Sequence, residues 1–132
     1  MISMKELMGD HNISDIPINH QHNLEELLLK INKVRALYNK PMTVTSGYRS
    51  EQDHLRIYRS KGIPDNKIPM GSAHLKGCAV DILDKDGSLF KWCKDNVNHL
   101  EEIGLWCEDD QAVPRVHFQT YAPKSGNRFF KP

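Results

Sequence analysis

An imidazole and a carboxylate stand seven residues apart, on either side of a glycine, in the middle of the chain. They are His74 and Asp81 in the segment Gly71-Ser72-Ala73-His74-Leu75-Lys76-Gly77-Cys78-Ala79-Val80-Asp81, and His117 follows in Arg115-Val116-His117-Phe118-Gln119. Two histidines and one carboxylate are a sufficient protein ligand set for a catalytic zinc ion, with a fourth position open for water. A chain that uses them together must bring two distant segments into contact, and this constrains its fold more than any other feature.

The pattern around the first histidine suggests how the contact forms. If residues 72–83 fold back near Gly77, His74 and Asp81 lie on one face of a hairpin, one diagonal step apart. His117 would then reach the same side from a neighbouring strand. We therefore expect a metal site on a small sheet.

Helices and short strands are predicted along the rest of the chain. Asn23 with Glu26 is a capping-box-like start, and apolar residues then recur at helical spacing until Asn39, where the approach of Pro41 ends the helix. The other predicted elements are a strand at 42–45, a helix from Ser50 to Gly62, a loop at 62–71, a helix from Leu89 to Leu100 stopped by Gly104, and two strands at 105–107 and 116–118.

Uneven alternation of helices with hairpin-connected strands predicts an α+β single domain over residues 1–132. It would have a small antiparallel sheet flanked by about three helices. Residues 1–22 are polar and irregular, and they predict a loosely packed N-terminal arm with one short helix.

Composition excludes several classes of protein. A formal net charge of +1 over 132 residues gives no electrostatic case for nucleic acid. No apolar run is long enough to cross a bilayer, and the N-terminus lacks the apolar stretch of a secretory signal. We therefore expect no membrane partner, synthesis in the cytoplasm and release by another component, and we expect a monomer.

Cysteines and the remaining histidines are expected to be structural. Cys78, Cys93 and Cys107 form no CxxC pair, so we interpret them as small apolar core residues. Five histidines lie on polar stretches and are expected at the surface: His11, His20, His22, His54 and His99.

Together the motifs resemble the zinc D-Ala-D-Ala carboxypeptidase and L-alanyl-D-glutamate endopeptidase family (peptidase M15-like), which includes phage endolysins and the fold of the hedgehog signalling domain. The matching residues, within 24–120, are Ser46-Gly47-Tyr48-Arg49, Ser72-x-His74-x-x-Gly77-x-Ala79-x-Asp81 and Val116-His117. The resemblance implies a hedgehog/DD-peptidase-like fold, with zinc held by His74, Asp81 and His117. It also implies that Arg49 binds the substrate carboxylate or developing oxyanion, and that Ser72 hydrogen-bonds the substrate.

The family implies a zinc peptidase that cuts a peptide bond in the stem of bacterial peptidoglycan. The ending Pro123-Lys124-Ser125-Gly126-Asn127-Arg128-Phe129-Phe130 is similar to phage and prophage members, so a lysis protein or virion component acting on the cell wall is expected. Whether the enzyme is a carboxypeptidase or an endopeptidase depends on pocket shape, which loops such as 62–71 set.

One departure concerns the general base. The family usually places an acid two or three residues before the last histidine, or a histidine two before it, but Pro114 and Arg115 stand there. The nearest carboxylates are Glu108, Asp109 and Asp110. A hairpin with a six-residue turn pairs Glu108 with Arg115, diagonal to His117, which makes Glu108 the best candidate base unless Arg115 neutralises it. Without a competent base, the alternative is a zinc-containing module that binds peptidoglycan or peptide.

Overall fold

The structure is a computed structural model that describes all of residues 1–132 as a five-stranded sheet packed with five α-helices. The helices are α1 (Met4–Met8), α2 (Ile18–Tyr38), α3 (Glu51–Ser60), α4 (Ser88–Asp95) and α5 (Val97–Ile103). The strands are β1 (Val44–Ser46), β2 (Ala79–Leu83), β3 (Trp106–Glu108), β4 (Arg115–Gln119) and β5 (Phe129–Phe130). Short 3-10 helices occupy Ile13–Asp15, Asp65–Lys67 and Ala73–Lys76. The predicted α+β class is confirmed.

The sheet has the strand order β1-β2-β4-β3-β5. The first four strands pair antiparallel, as predicted, whereas β5 joins β3 in parallel and was not expected. In the central pair, Asp81 of β2 stands directly opposite His117 of β4. The sheet therefore places two of the three candidate ligands side by side.

The core forms where the apolar stripe of α2 meets the central strands. The buried residues of α2 recur at helical spacing and are Leu24, Leu27, Ile31 and Val34. They share one apolar cluster with residues of β2 and β4, namely Val80, Ile82, Val116 and Phe118. Full burial of each such side chain contributes about 1.5–3 kcal/mol, so this contact holds the helix against the strands that carry the site.

The boundaries of the predicted helices are partly right. α2 ends at Asn39, whose φ of 57° closes the helix, but it begins earlier than expected, after Pro17. The Asn23 side chain does not cap the helix, since its amide donates to the carbonyl of Lys76 at 2.8 Å. For α3 the predicted start is confirmed, because Ser50 caps the helix at its N-terminus.

The structure has five α-helices, whereas the sequence predicts about three beside the sheet and one short helix in the N-terminal segment. The segment predicted as the third helix contains both α4 and α5, which are separated by Asn96 with a φ of −126°. α1 lies in the N-terminal segment, where Ser3 and Glu6 form a reciprocal capping box. No helix has the length and apolar character needed to cross a membrane.

The N-terminal segment is not the loosely packed arm that its polar composition suggested. Ile2, Leu7 and Ile16 are all buried in the main apolar cluster. The backbone of Ile2 also exchanges two hydrogen bonds with the Asn32 side chain on α2, at 2.8 and 2.9 Å. The prediction failed because a few apolar residues at irregular spacing dock the segment, and such spacing has no helical or strand period.

The cysteine prediction is confirmed, since all three are buried and free. Cys93 and Cys107 belong to the main core, and Cys78 lies in a small cluster with Ala73 and Ala79. Burial raises the pKa of the Cys78 and Cys107 thiols. These thiols are therefore protonated packing groups at neutral pH.

Candidate active site

The two central strands carry a buried carboxylate and a buried imidazole next to each other. Asp81 and His117 are 4% and 5% exposed, and Oδ1 of Asp81 lies 2.9 Å from Nδ1 of His117. Polar groups at this depth need hydrogen-bond partners, and each supplies the other. The strand register that buries the apolar residues therefore also sets this contact.

His74 reaches the pair from the 3-10 helix Ala73–Lys76, not from a hairpin strand as we expected. The Ser72 hydroxyl accepts the backbone N–H of His74 at 3.3 Å, and Gly77 ends the turn with a φ of 75°. Nε2 of His74 then lies 3.3 Å from Oδ2 of Asp81. The three residues converge as predicted, but the path of the chain differs. Gly77, in left-handed conformation, joins a helical turn to β2 where a hairpin was expected.

A backbone carbonyl fixes the ring of His74. Its Nδ1 donates to the carbonyl of Gly47 at 2.8 Å, so Nε2 carries the lone pair that faces Asp81. Glycine is required at this turn, because an ideal Cβ on Gly47 would lie 2.2 Å from the carbonyl oxygen of Leu7. The N-terminal segment thus supports the histidine from behind.

The three donors fit a zinc ion. The candidate ligand atoms of His74, Asp81 and His117 all lie within 4.8 Å of one another. Two tetrahedral ligands at about 2.0–2.2 Å from zinc are about 3.4 Å apart. The separation of 3.3 Å between His74 and Asp81 is close to that value. These residues are able to hold zinc, and their role as ligands stays a prediction.

Gln119 fixes the second ring nitrogen of His117. Its Oε1 lies 2.9 Å from Nε2 of His117, and its own amide nitrogen donates to the carbonyl of Tyr121 at 2.9 Å. Because the Tyr121 contact sets the orientation of the amide, Gln119 presents only an acceptor and Nε2 carries a proton. We did not predict a role for Gln119. It lies two residues after His117 on β4, so the two side chains share a face of the sheet.

Burial and charge act in opposite directions on this pair. Burial alone would raise the pKa of Asp81, but the hydrogen bond from His117 and the neighbouring imidazole of His74 hold that pKa well below its ordinary range. Burial alone would lower the pKa of His117, but the hydrogen bond to Asp81 and the charges of Glu108 and Asp81 raise it. The carboxylate is therefore ionised at neutral pH, and His117 holds a proton more firmly than a free imidazole.

Arg49 and Ser72 line the same cavity, of about 340 Å³, as the three candidate ligands. The backbone N–H of Arg49 donates to the carbonyl of His74 at 3.1 Å, and its guanidinium donates to Oγ of Ser46 at 3.2 Å. The structure therefore places both predicted substrate-binding residues beside the donor set. Their contact with substrate stays a prediction.

Glu108 lies at the edge of the donor set, but the predicted strand register is wrong. β3 and β4 pair Cys107 with Phe118, and extending that register puts Glu108 opposite His117 and not opposite Arg115. The slip is by two residues, which leaves the side chain on the same face. Oε1 of Glu108 lies 4.0 Å from Nδ1 of His117, so the carboxylate still reaches the site.

Arg115 contacts both carboxylates of the site. Its Nη1 lies 3.4 Å from Oδ1 of Asp81 and 3.6 Å from Oε2 of Glu108. Both distances exceed those of a well-formed charged hydrogen bond, so Glu108 is attracted by the guanidinium without being locked to it. This geometry therefore permits two roles for Glu108: a general base, or a carboxylate whose charge Arg115 neutralises.

The other two carboxylates of the turn are engaged elsewhere. Asp109 lies 3.7 Å from Nζ of Lys94 and 3.8 Å from Nζ of Lys131. Asp110 accepts the backbone N–H of Ala112 at 3.1 Å within its own turn. Glu108 is thus the carboxylate of this turn that faces the donor set.

The surface prediction is wrong for His54, which is 0% exposed on α3. Its Nε2 lies 2.7 Å from the carbonyl of Pro69, and its Nδ1 lies 3.3 Å from Nη1 of Arg49. The sequence contains one signal for this position, since His54 and Tyr58 are spaced i, i+4 on the same helix face. The other four histidines are exposed or half-buried: His11, His20, His22 and His99.

A second cavity, of about 430 Å³, lies between the α4 N-terminus and the β3–β4 turn. Its lining includes Asp84, Asp110 and Arg115 but no histidine. Asp84 is already satisfied, because its carboxylate accepts the backbone N–H groups of Leu89 and Phe90. The chemistry of the donors therefore favours the smaller cavity as the candidate active site.

Comparison with known proteins gives one family. A family model described as Peptidase M15 matches residues 2–109, which is well over half of the chain. No curated protein and no solved structure matches the chain. The matched range includes His74, Asp81 and Glu108 and ends before His117.

Proposed function

We propose that this chain, which belongs to the peptidase M15 family and is a peptidase, uses zinc to cleave a peptide bond in the stem peptide of bacterial peptidoglycan. The observation that carries the proposal is the convergence of His74, Asp81 and His117 within 4.8 Å beside Arg49. Two imidazoles and a carboxylate are the donors of catalytic zinc sites that keep a position open. When bound, zinc polarises the scissile carbonyl and lowers the pKa of the attacking water.

The chain's own residues divide the remaining work. Glu108 accepts the proton of the attacking water and passes it to the leaving amine. Arg49, held by Ser46, presents a planar cation to the substrate carboxylate or to the developing oxyanion. Ser72 hydrogen-bonds the substrate at the entrance to the turn that carries His74.

The biological setting that suits this activity is the lysis of a bacterial cell. We propose that the protein acts on the cell wall as a monomer, as a phage or prophage lysis protein or as a component of a virion. The C-terminal segment that is similar to phage members supports this setting.

The second candidate is a zinc-containing module that binds peptidoglycan without cutting it. The observation that favours it is the position of Arg115, whose guanidinium lies 3.6 Å from Glu108 and is able to neutralise the charge of that carboxylate. In this module, Arg49 would grip a peptide carboxylate in the same cavity.

Purified peptidoglycan separates the two functions. We expect incubation to release new amino groups, with turnover abolished by a chelator and restored by zinc. Tight binding without new amino groups would support the module instead. Mass spectrometry of soluble muropeptides then identifies the bond: free D-alanine marks a carboxypeptidase, and a new internal amine marks an endopeptidase.

A further inference from the structure

We propose that His54 is a positioning residue that holds the guanidinium of Arg49 in place and ties it to the 62–71 loop through Pro69. This inference rests on the proposed function, since it gives Arg49 its task there. It assigns a function to a buried polar side chain that contacts none of the three candidate zinc ligands.

The position of His54 is fully enclosed. The side chain is 0% exposed, and its ring packs against Tyr58 with a centroid separation of 4.7 Å. Nε2 lies 2.7 Å from the carbonyl oxygen of Pro69, and Nδ1 lies 3.3 Å from Nη1 of Arg49. Both polar atoms of the buried ring are therefore satisfied, as burial demands.

The two partners determine where the proton of His54 sits. A carbonyl oxygen such as that of Pro69 can only accept, so Nε2 must donate to it. A guanidinium can only donate, so Nδ1 must accept from Arg49. His54 is thus a neutral imidazole with its proton on Nε2, and a second proton on Nδ1 would face an N–H of Arg49.

The result is a two-point clamp on the arginine. Ser46 accepts from Nη2 at 3.2 Å, and His54 accepts from Nη1 at 3.3 Å. A guanidinium carries five N–H donors, so the clamp leaves donors for a ligand in the cavity. Because both terminal nitrogens are held, the plane of the Arg49 guanidinium is fixed. A guanidinium with a fixed plane is able to bind a carboxylate through two parallel hydrogen bonds.

The same imidazole holds the chain that leads to His74. Pro69 lies three residues before Ser72, and the neighbouring Ile68 is buried. His54 therefore joins α3, the arginine and the loop that enters the site. We expect the orientation of Arg49 and the seating of this loop to depend on one side chain.

Two amide substitutions separate the two hydrogen bonds. In His54→Gln, the amide nitrogen can occupy the place of Nε2 and keep the bond to Pro69, but the acceptor for Arg49 is lost. In His54→Asn, the carbonyl oxygen can occupy the place of Nδ1 and keep the bond to Arg49, but the donor to Pro69 is lost. The exposed His22→Gln is the matched control.

We expect His54→Gln to raise KM about tenfold, the cost of losing one hydrogen bond to a charged group, with zinc content unchanged. His54→Asn should raise KM less than His54→Gln does and lower Tm more than His54→Gln does. In an Arg49→Lys background, His54→Gln should add little further loss, because residues that act through one another are not additive. Equal KM values for the two amide variants, or full additivity with Arg49→Lys, would overturn the proposal.

Histidine NMR tests the clamp without any activity measurement. Long-range ¹H–¹⁵N spectra should show His54 as the neutral form protonated at Nε2, and Arg49→Met should shift its Nδ1 resonance while His22 stays unchanged. A proton on Nδ1, or no response to Arg49→Met, rejects the clamp. An inactive wild-type protein with zinc bound would instead reject the proposed function, so the two failures are distinguishable.

Discussion

The floor of the site and its rim are built in different ways. The floor consists of His74, Asp81 and His117, which are buried, with the imidazole nitrogens 3.3 and 2.9 Å from the Asp81 carboxylate. The rim residue Glu108 is held less firmly, since its nearest site contacts are 4.0 Å to His117 and 3.6 Å to Arg115.

This difference is what a metal peptidase needs. Ligands must be held in one geometry, because the ion tolerates little error in distance. A general base must approach its proton donor in the complex with substrate, and such contacts are often long without substrate. The floor should therefore control whether zinc binds, and the rim should control whether bound zinc is used.

The largest effect is expected at the floor. His117→Ala removes one of three candidate ligands, and we expect zinc stoichiometry to fall from one per chain towards zero, with loss of turnover. Elemental analysis measures this directly. His22→Ala, at an exposed position, is the control and should keep its zinc. Unchanged zinc in His117→Ala would remove this residue from the ligand set.

The rim should show the opposite pattern. Glu108→Gln keeps shape but not basicity, so we expect zinc to stay bound while turnover on peptidoglycan falls roughly 100-fold or more. Asp109→Asn is the matched control from the same turn, because the charged groups nearest to Asp109 are Lys94 and Lys131 and not the donor set. A fully active Glu108→Gln enzyme would show that the base is elsewhere or is not needed.

Substitution of Arg49 should follow the pattern of the rim, with a smaller effect on turnover. Arg49→Lys keeps the charge but loses the planar fork that Ser46 and His54 hold, so we expect zinc and fold to be kept and turnover to fall at least about tenfold. Arg56→Lys, exposed on the same helix, is the control. Wild-type turnover in Arg49→Lys would exclude Arg49 from the substrate contact.

The same contrast explains what the sequence could predict. Asp81 and His117 were correctly predicted to lie on the same side of the sheet, because alternation along two strands places residues of one face together whatever the detailed register. The Glu108 register was wrong by two residues, yet its face was right, since a slip of two preserves the face. Such an error changes which residues stand directly opposite each other, but it does not change which side chains share a face.

Other features had at most a weak local signal. The burial of His54 depends on the Pro69 carbonyl, which is supplied by a loop fifteen residues later. The N-terminal segment docks through Leu7, whose carbonyl meets the turn at Gly47. Every residue has a backbone carbonyl, so contacts made by such groups do not depend on residue type. The contacts of the Pro69 and Leu7 carbonyls could therefore be found only in the folded chain.

The smallest effect that we predict is the pH dependence of the floor. The raised pKa of His117 means that the chelated protein gains stability from this proton below about pH 6.5, the unfolded value, and loses it as pH rises through the folded pKa. The depressed pKa of Asp81 acts at the other end, since its contribution is present above about pH 3.9 and is lost only at more acid pH. At pH values between the ranges in which Asp81 and His117 titrate, a proton and a zinc ion compete for Nδ1 of His117.

Thermal denaturation with and without a chelator measures this competition. As pH rises from about 6 to 8, we expect Tm to fall in the chelated protein, while the increase in Tm on adding zinc grows. Apparent zinc affinity should change by at most about tenfold per pH unit, the limit for one displaced proton. Gln119→Leu removes the acceptor at Nε2, so both trends should weaken and zinc affinity should fall roughly tenfold. A zinc effect that does not vary with pH would mean that Nδ1 of His117 exchanges no proton for the metal, and the floor would then have to be assigned to other donor atoms.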